Sequence, residues 1–158
     1  MNKIIKLILC ISLTLSIGAI TGIATSSGVN NWYVTLNKPV FNPPNYLFGP
    51  VWALLYVLMG VSFYLILQSG NSIFKRRAII IFFIQLFLNF SWSFLFFKFQ
   101  LVGVALIEII FIWASIIIMI FTFYKIHKTA SCLQIPYFLW VSFASVLNGS
   151  IWILNKIN

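Results

Sequence analysis

Apolar residues run almost unbroken through five stretches of the chain, about Ile4 to Ala24, Tyr46 to Leu67, Ala78 to Phe97, Leu101 to Tyr124 and Leu133 to Leu154, and the polar positions collect between them. Each stretch has close to the ~20 residues that a helix needs to cross ~30 Å of hydrocarbon. Inside a bilayer every backbone N–H and C=O must be satisfied within the protein, which selects helices for isolated apolar stretches of this length. The pattern predicts an all-α fold: an integral membrane bundle of five transmembrane helices in a single domain over residues 1–158. Stretch four follows Lys98-Phe99-Gln100 so closely that stretches three and four form a tight antiparallel hairpin.

The first stretch could also be read as a signal peptide, with Lys3 and Lys6 ahead of it and the small residues Ala24, Thr25 and Ser26 behind it. Its length exceeds the ~7–15 residues of a signal core, so a retained span is expected. Gly18 and Gly22 form a GxxxG that permits close helix approach, either inside the bundle or at a dimer face. The connection 25–45 carries Trp32-Tyr33, Lys38-Pro39, Phe41 and Pro43-Pro44. Proline removes donors and drives the preceding residue toward extended conformations, so the whole segment is expected to be a rigid, non-helical lid over one end of the bundle. Pro50 is expected in the first turn of the second helix, where the missing N–H is harmless.

Composition changes the picture in one respect. Hydrophobic residues make up 62% of the chain and charged residues 7%, which excludes a soluble domain. Ten Lys and Arg stand against a single acid, Glu108, for a net charge of +9. On a soluble protein that excess would point to nucleic acid, but here the cations sit at the ends of apolar stretches, so no nucleic-acid partner is expected and membrane lipid is. Lys3, Lys6, Lys75, Arg76, Arg77, Lys125 and Lys128 fall on one side, and Lys38, Lys98 and Lys156 on the other. The positive-inside rule then puts the N-terminus in the cytoplasm and the C-terminus outside, in a bacterial cytoplasmic membrane. Cys10 and Cys132 lack any metal or disulfide spacing and read as packing residues.

Candidate chemistry is sparse. Trp113 and Trp152 read as interfacial anchors, whereas Trp52, Trp92 and Trp140 are pocket candidates, because a buried indole N–H needs a partner or a ligand. Stretch three carries Gln85, Asn89, Ser91 and Ser93, and stretch five carries Ser142, Ser145, Asn148 and Ser150. Such groups commonly bond helix to helix. Asn89 and Asn148 also share faces with Trp92 and Ala144, the mixture of polar, aromatic and small surface that suits a flat apolar ligand. Glu108, an intramembrane carboxylate, is either a structural acid shared with stretch three or a functional group. The lone His127 sits in a basic loop, and neither a catalytic set nor a metal site can be assembled.

Trp32-Tyr33, Leu36, Lys38-Pro39, Phe41, Pro43-Pro44, Gly49-Pro50-Val51-Trp52, Leu55-Tyr56, Asn89, Trp92, Phe96-Phe97, Pro136-Tyr137, Trp140, Phe143-Ala144 and Leu147-Asn148 together resemble the translocator protein or tryptophan-rich sensory protein (TspO/MBR) family over nearly the whole chain. The resemblance implies a compact five-helix bundle, commonly a homodimer, that acts as a membrane receptor or sensor for porphyrins. Protoporphyrin IX, a related tetrapyrrole or haem would be the ligand, with no obligatory cofactor. By position, Tyr33, Pro43, Trp52, Tyr56, Asn89, Trp92, Trp140, Phe143, Ala144 and Leu147 would line the pocket, and Glu108 stands where the family often has Asp. The resemblance equally implies two alternatives: light- and oxygen-dependent porphyrin degradation through Trp52 and Trp140, and translocation of tetrapyrroles. Phe41 replaces a usual Trp in the lid motif, and the sterol-recognition pattern of animal members is missing after Leu147, where Gly149 and Ile153 stand.

Overall fold

The computed structural model describes residues 2–156. Six helices account for most of them: α1 (Lys3–Ser27), α2 (Asn45–Gln68), α3 (Ile73–Ser93), α4 (Val102–Tyr124), the short α5 (Lys128–Cys132) and α6 (Ile135–Lys156). Five segments are long and apolar enough to cross a membrane, with α5 and α6 together forming the fifth.

The first span departs from expectation. α1 continues through a π-helical turn, Gly28–Trp32, and a 3-10 turn, Tyr33–Thr35, so the helical span runs from Lys3 to Thr35. Only the residues from Leu36 to Pro44 form the irregular lid. Pro39 is the first proline of the segment, and its steric effect reaches no further back than Lys38, so nothing upstream of Leu36 forbids helix. Pro50 lies in the second turn of α2, a turn deeper than expected.

α3 begins five residues ahead of the apolar pattern because the Ser72 hydroxyl accepts from the Lys75 N–H at 3.1 Å and caps it. Lys75, Arg76 and Arg77 therefore belong to the helix; Arg76 and Arg77 are exposed, while Lys75 Nζ donates to the Leu67 and Ser69 carbonyls at the end of α2, at 2.8 and 2.7 Å. At the opposite end Gln100 takes a left-handed conformation, φ 59°, and the Leu101 N–H bonds the Leu95 carbonyl at 2.9 Å, which closes the α3–α4 hairpin. The role of His127 is structural, since its Nδ1 accepts from the Ala130 N–H at 3.3 Å and caps α5.

The tightest core fills the half of the bundle nearest the basic ends. Met59, Ile66, Phe82, Ile116, Met119 and Tyr137 are all fully buried there, and Phe63 stacks on Phe82 with ring centroids 4.1 Å apart. Gly60 lets α2 settle onto α1: a Cβ at that position would lie 2.6 Å from the Ile11 Cα. Thr14 Oγ1 donates to the Tyr56 carbonyl at 2.7 Å across the same contact, and Ser62 Oγ donates to the Ala130 carbonyl at 2.6 Å.

The outer surface is apolar, with Ile23, Phe87, Ile107, Phe111, Leu139 and Val146 all exposed, as a lipid-facing bundle requires. Trp113 is among these exposed residues. It sits midway along α4 rather than at an interface, and its indole N–H is satisfied by Ser142 Oγ at 2.8 Å, which is how it tolerates that depth. Cys10 is buried in the core, but Cys132 is exposed and does not serve as a packing residue.

Candidate ligand-binding cavity

The half of the bundle beneath the lid is built differently. α1, α2, α6 and the lid-side end of α3 enclose a cavity of about 570 Å³, inside the ~300–1,000 Å³ range of small-molecule sites. Tyr33, Trp52, Tyr56 and Trp92 line it from the first three spans, and Trp140, Ala144, Leu147 and Asn148 line it from α6.

The helical period explains the α6 wall, since Ala144 follows Trp140 by four residues and Leu147 and Asn148 follow Ala144 by three and four, which puts them on one face. Trp52 leans over Tyr56, centroids 5.7 Å apart, and edges onto Tyr137 at 6.2 Å. Trp92 stacks on Phe96 at 5.2 Å and 24°. Its N–H donates to Asn148 Oδ1 at 3.2 Å, while Asn148 Nδ2 donates to the Val102 carbonyl at 3.0 Å. Trp140 packs against Phe48 and Phe143, and its buried N–H has no partner among the described residues.

Four sequence candidates lie outside the lining. Asn89 stands one layer behind it: its Oδ1 accepts from the Tyr56 hydroxyl at 2.6 Å, and its Nδ2 donates to the Tyr137 hydroxyl at 3.1 Å. Asn89 therefore holds the tyrosine that touches the cavity. Phe143 braces Trp140 from one side and meets lid residue Phe41 from the other, at 6.2 Å. Pro43 belongs to the lid, where its carbonyl accepts from Asn42 Nδ2 at 3.0 Å. Glu108 faces the α3–α4 seam, where Ser91 Oγ donates to its Oε1 at 2.5 Å and its Oε2 is buried without a partner among the described residues.

Other wall residues gave no chemical signal in the sequence. Gly18, Ala19, Thr21, Gly22 and Thr25 form the α1 wall, and Phe48, Gly49 and Ala53 extend the α2 wall. Gly18 lies against the Tyr56 ring, 2.5 Å from a Cβ placed there, whereas a Cβ on Gly22 would meet nothing within 4 Å. The GxxxG thus joins one packing contact to one stretch of cavity wall. Thr21 and Thr25 donate their hydroxyls to carbonyls of α1 at 2.9 and 2.6 Å, which removes their donors from the lining. No Lys, Arg, Asp, Glu or His lines the cavity among the described residues. The arrangement can bury a flat apolar molecule and stack aromatic rings on it.

Residues 10–153 match the TspO/MBR family. The chain belongs to that family. The tryptophan-rich protein TspO of Archaeoglobus fulgidus is 42% identical over 97% of this chain and 99% of that protein. The protein of the same name from Chlorobaculum tepidum is 40% identical over 98% and 99%. The translocator protein of Homo sapiens is 32% identical over 77% of this chain and 73% of its own length. Membership of TspO/MBR together with five apolar helices makes this a multi-pass integral membrane protein, and it places the cavity in a family whose members are named for tryptophan, sensing and translocation.

Proposed function

We propose that this TspO/MBR protein is a membrane receptor or sensor that holds protoporphyrin IX, or a related flat tetrapyrrole, in the cavity beneath the lid. The observation that carries the reading is the uncharged cavity of about 570 Å³ with three tryptophans, Trp52, Trp92 and Trp140, in its walls. A flat macrocycle there would gain apolar burial and offset stacking together. Haem fits the same space less well than the free base. No His, Met or Cys lines the cavity among the described residues to serve as an axial iron ligand, and the Tyr33 and Tyr56 hydroxyls already donate to Asn42 and Asn89. No obligatory cofactor is needed for this binding role. We place the protein in a bacterial cytoplasmic membrane as a homodimer, with its N-terminus cytoplasmic, its C-terminus and lid outside, and the seven cations of the other end against the anionic leaflet.

Titrating protoporphyrin IX into detergent-purified protein in the dark tests the reading through tryptophan fluorescence. Saturable quenching is expected, and the absence of quenching would overturn it. A second reading, photo-oxidative porphyrin degradation, is favoured by Trp52 and Trp140 lining the same cavity. It requires a new absorbing product that forms only with both light and oxygen. Translocation, the activity some relatives are named for, requires ligand to accumulate inside sealed vesicles.

A further inference from the structure

We propose that ligand reaches this cavity sideways from the bilayer, through a window between α1 and α2, rather than past the lid. The inference rests on the porphyrin-binding reading and concerns how that site is entered.

The two helices pack unevenly along their length. Near the basic end they are locked together at Gly60, which has room for no Cβ beside Ile11, and midway they meet again where Gly18 lies on the Tyr56 ring. Toward the lid the continuation of α1 packs on the turn Phe94–Lys98 that follows α3, where Gly28 lies on the Phe97 carbonyl. The gap is flanked by Ala19 and Gly22 on α1 and by Gly49 and Ala53 on α2. All four line the cavity and all four are exposed. A Cβ built on Gly22 or Gly49 meets nothing within 4 Å. On the opposite wall Leu147, Asn148 and Ile151 are buried, so the lining on that side is covered where the α1–α2 side is exposed.

The lid, by contrast, is tied down. The Tyr33 hydroxyl donates to Asn42 Oδ1 at 2.6 Å, and Lys38 Nζ donates to the carbonyls of Tyr33, Val34 and Leu36 at 2.8–3.3 Å. Asn155 and the Asn37 backbone exchange two hydrogen bonds, at 3.0 and 2.9 Å. With the lid fastened, the side open and no charge on the walls, the approach that costs least is that of an uncharged molecule already dissolved among lipid tails.

Stopped-flow tryptophan quenching with protoporphyrin IX dimethyl ester, the protein and the probe both carried in dodecyl maltoside micelles, separates the two routes. Gly22→Phe and Gly49→Phe each project a ring into the window from opposite helices. Each is expected to slow both arrival and departure of the probe by about tenfold, while Asn155→Ala, which releases the lid from α6, leaves arrival within about twofold of wild type. Unchanged arrival in both window variants, faster departure from them, or faster arrival in Asn155→Ala would overturn the window. Wild-type protein that shows no saturable quenching at equilibrium would instead remove the binding reading itself.

Discussion

Two halves of one bundle use the same residue types to opposite ends. Toward the basic end glycine draws helices together: Gly60 exists so that α2 can touch the α1 backbone. Toward the lid end Gly22 and Gly49 have open space beside them and border a cavity. Aromatic rings divide in the same way. Phe63 and Phe82 stack on each other in the closed half, whereas Trp52, Trp92 and Trp140 leave part of their faces to a cavity. The difference teaches that the closed half carries the stability of the bundle and thereby lets the lid half stay hollow, since an empty space lined by apolar groups forgoes the dispersion contacts that would fill it.

Substitutions in the two halves should therefore separate stability from binding, and thermal unfolding in detergent is the first measurement for each. Phe82→Ala should show the largest effect. It removes a fully buried ring stacked on Phe63, and a loss of about 3–5 kcal/mol is expected. Gly60→Ala should cost about 1–3 kcal/mol, because the added methyl meets backbone that cannot easily yield. Gly22→Ala, also on the α1–α2 side, should stay within about 0.5 kcal/mol of wild type, and equal losses at the two glycines would erase the distinction between the halves.

Tyr56→Phe tests the joint between them. It takes away the donor to Asn89 Oδ1 and leaves a buried acceptor unpaired, at about 1–3 kcal/mol. Part of that loss should also appear as weaker porphyrin binding, because Asn89 no longer holds the ring that lines the cavity. Trp140→Phe is the smallest change in stability, within about 0.5 kcal/mol, since its indole N–H bonds to nothing among the described residues. Porphyrin affinity should nevertheless fall several-fold, as expected for a stacking partner worth about 0.5–1.5 kcal/mol. A large loss of stability with unchanged affinity would assign Trp140 to the scaffold instead.

The bundle was legible in the sequence because lipid imposes a simple condition: an apolar run of ~20 residues has few alternatives to a spanning helix. Helix ends were less legible, since they depend on single atoms. The Ser72 hydroxyl draws Lys75, Arg76 and Arg77 into α3, and the helical run of α1 into Thr35 is decided by where proline first intervenes. The aromatic and α6 parts of the cavity wall were visible as the tryptophans Trp52, Trp92 and Trp140 and as Asn148 within an apolar span. The α1 wall was not, because Gly18, Ala19 and Gly22 contribute by being small, and in sequence smallness reads equally as helix packing. Asn89 and Glu108 show the converse. Both are costly in lipid and so attract functional readings, yet one supports Tyr56 from behind and the other bonds Ser91 at the α3–α4 seam. Trp113 escaped its expected interface because Ser142, one helix away in space, satisfies its N–H.

The most direct measurement of the hollow lid half is thermal unfolding of wild-type protein and Ala144→Phe, each with and without saturating protoporphyrin IX in the dark. Ala144 lines the cavity from α6, so a phenyl ring there occupies ligand space. Binding to the folded state alone raises the midpoint by mass action. The expected result is a midpoint several degrees higher with porphyrin for wild type and no shift for Ala144→Phe. An equal shift in both proteins would put the ligand somewhere other than this cavity, and no shift in either would contradict porphyrin binding altogether.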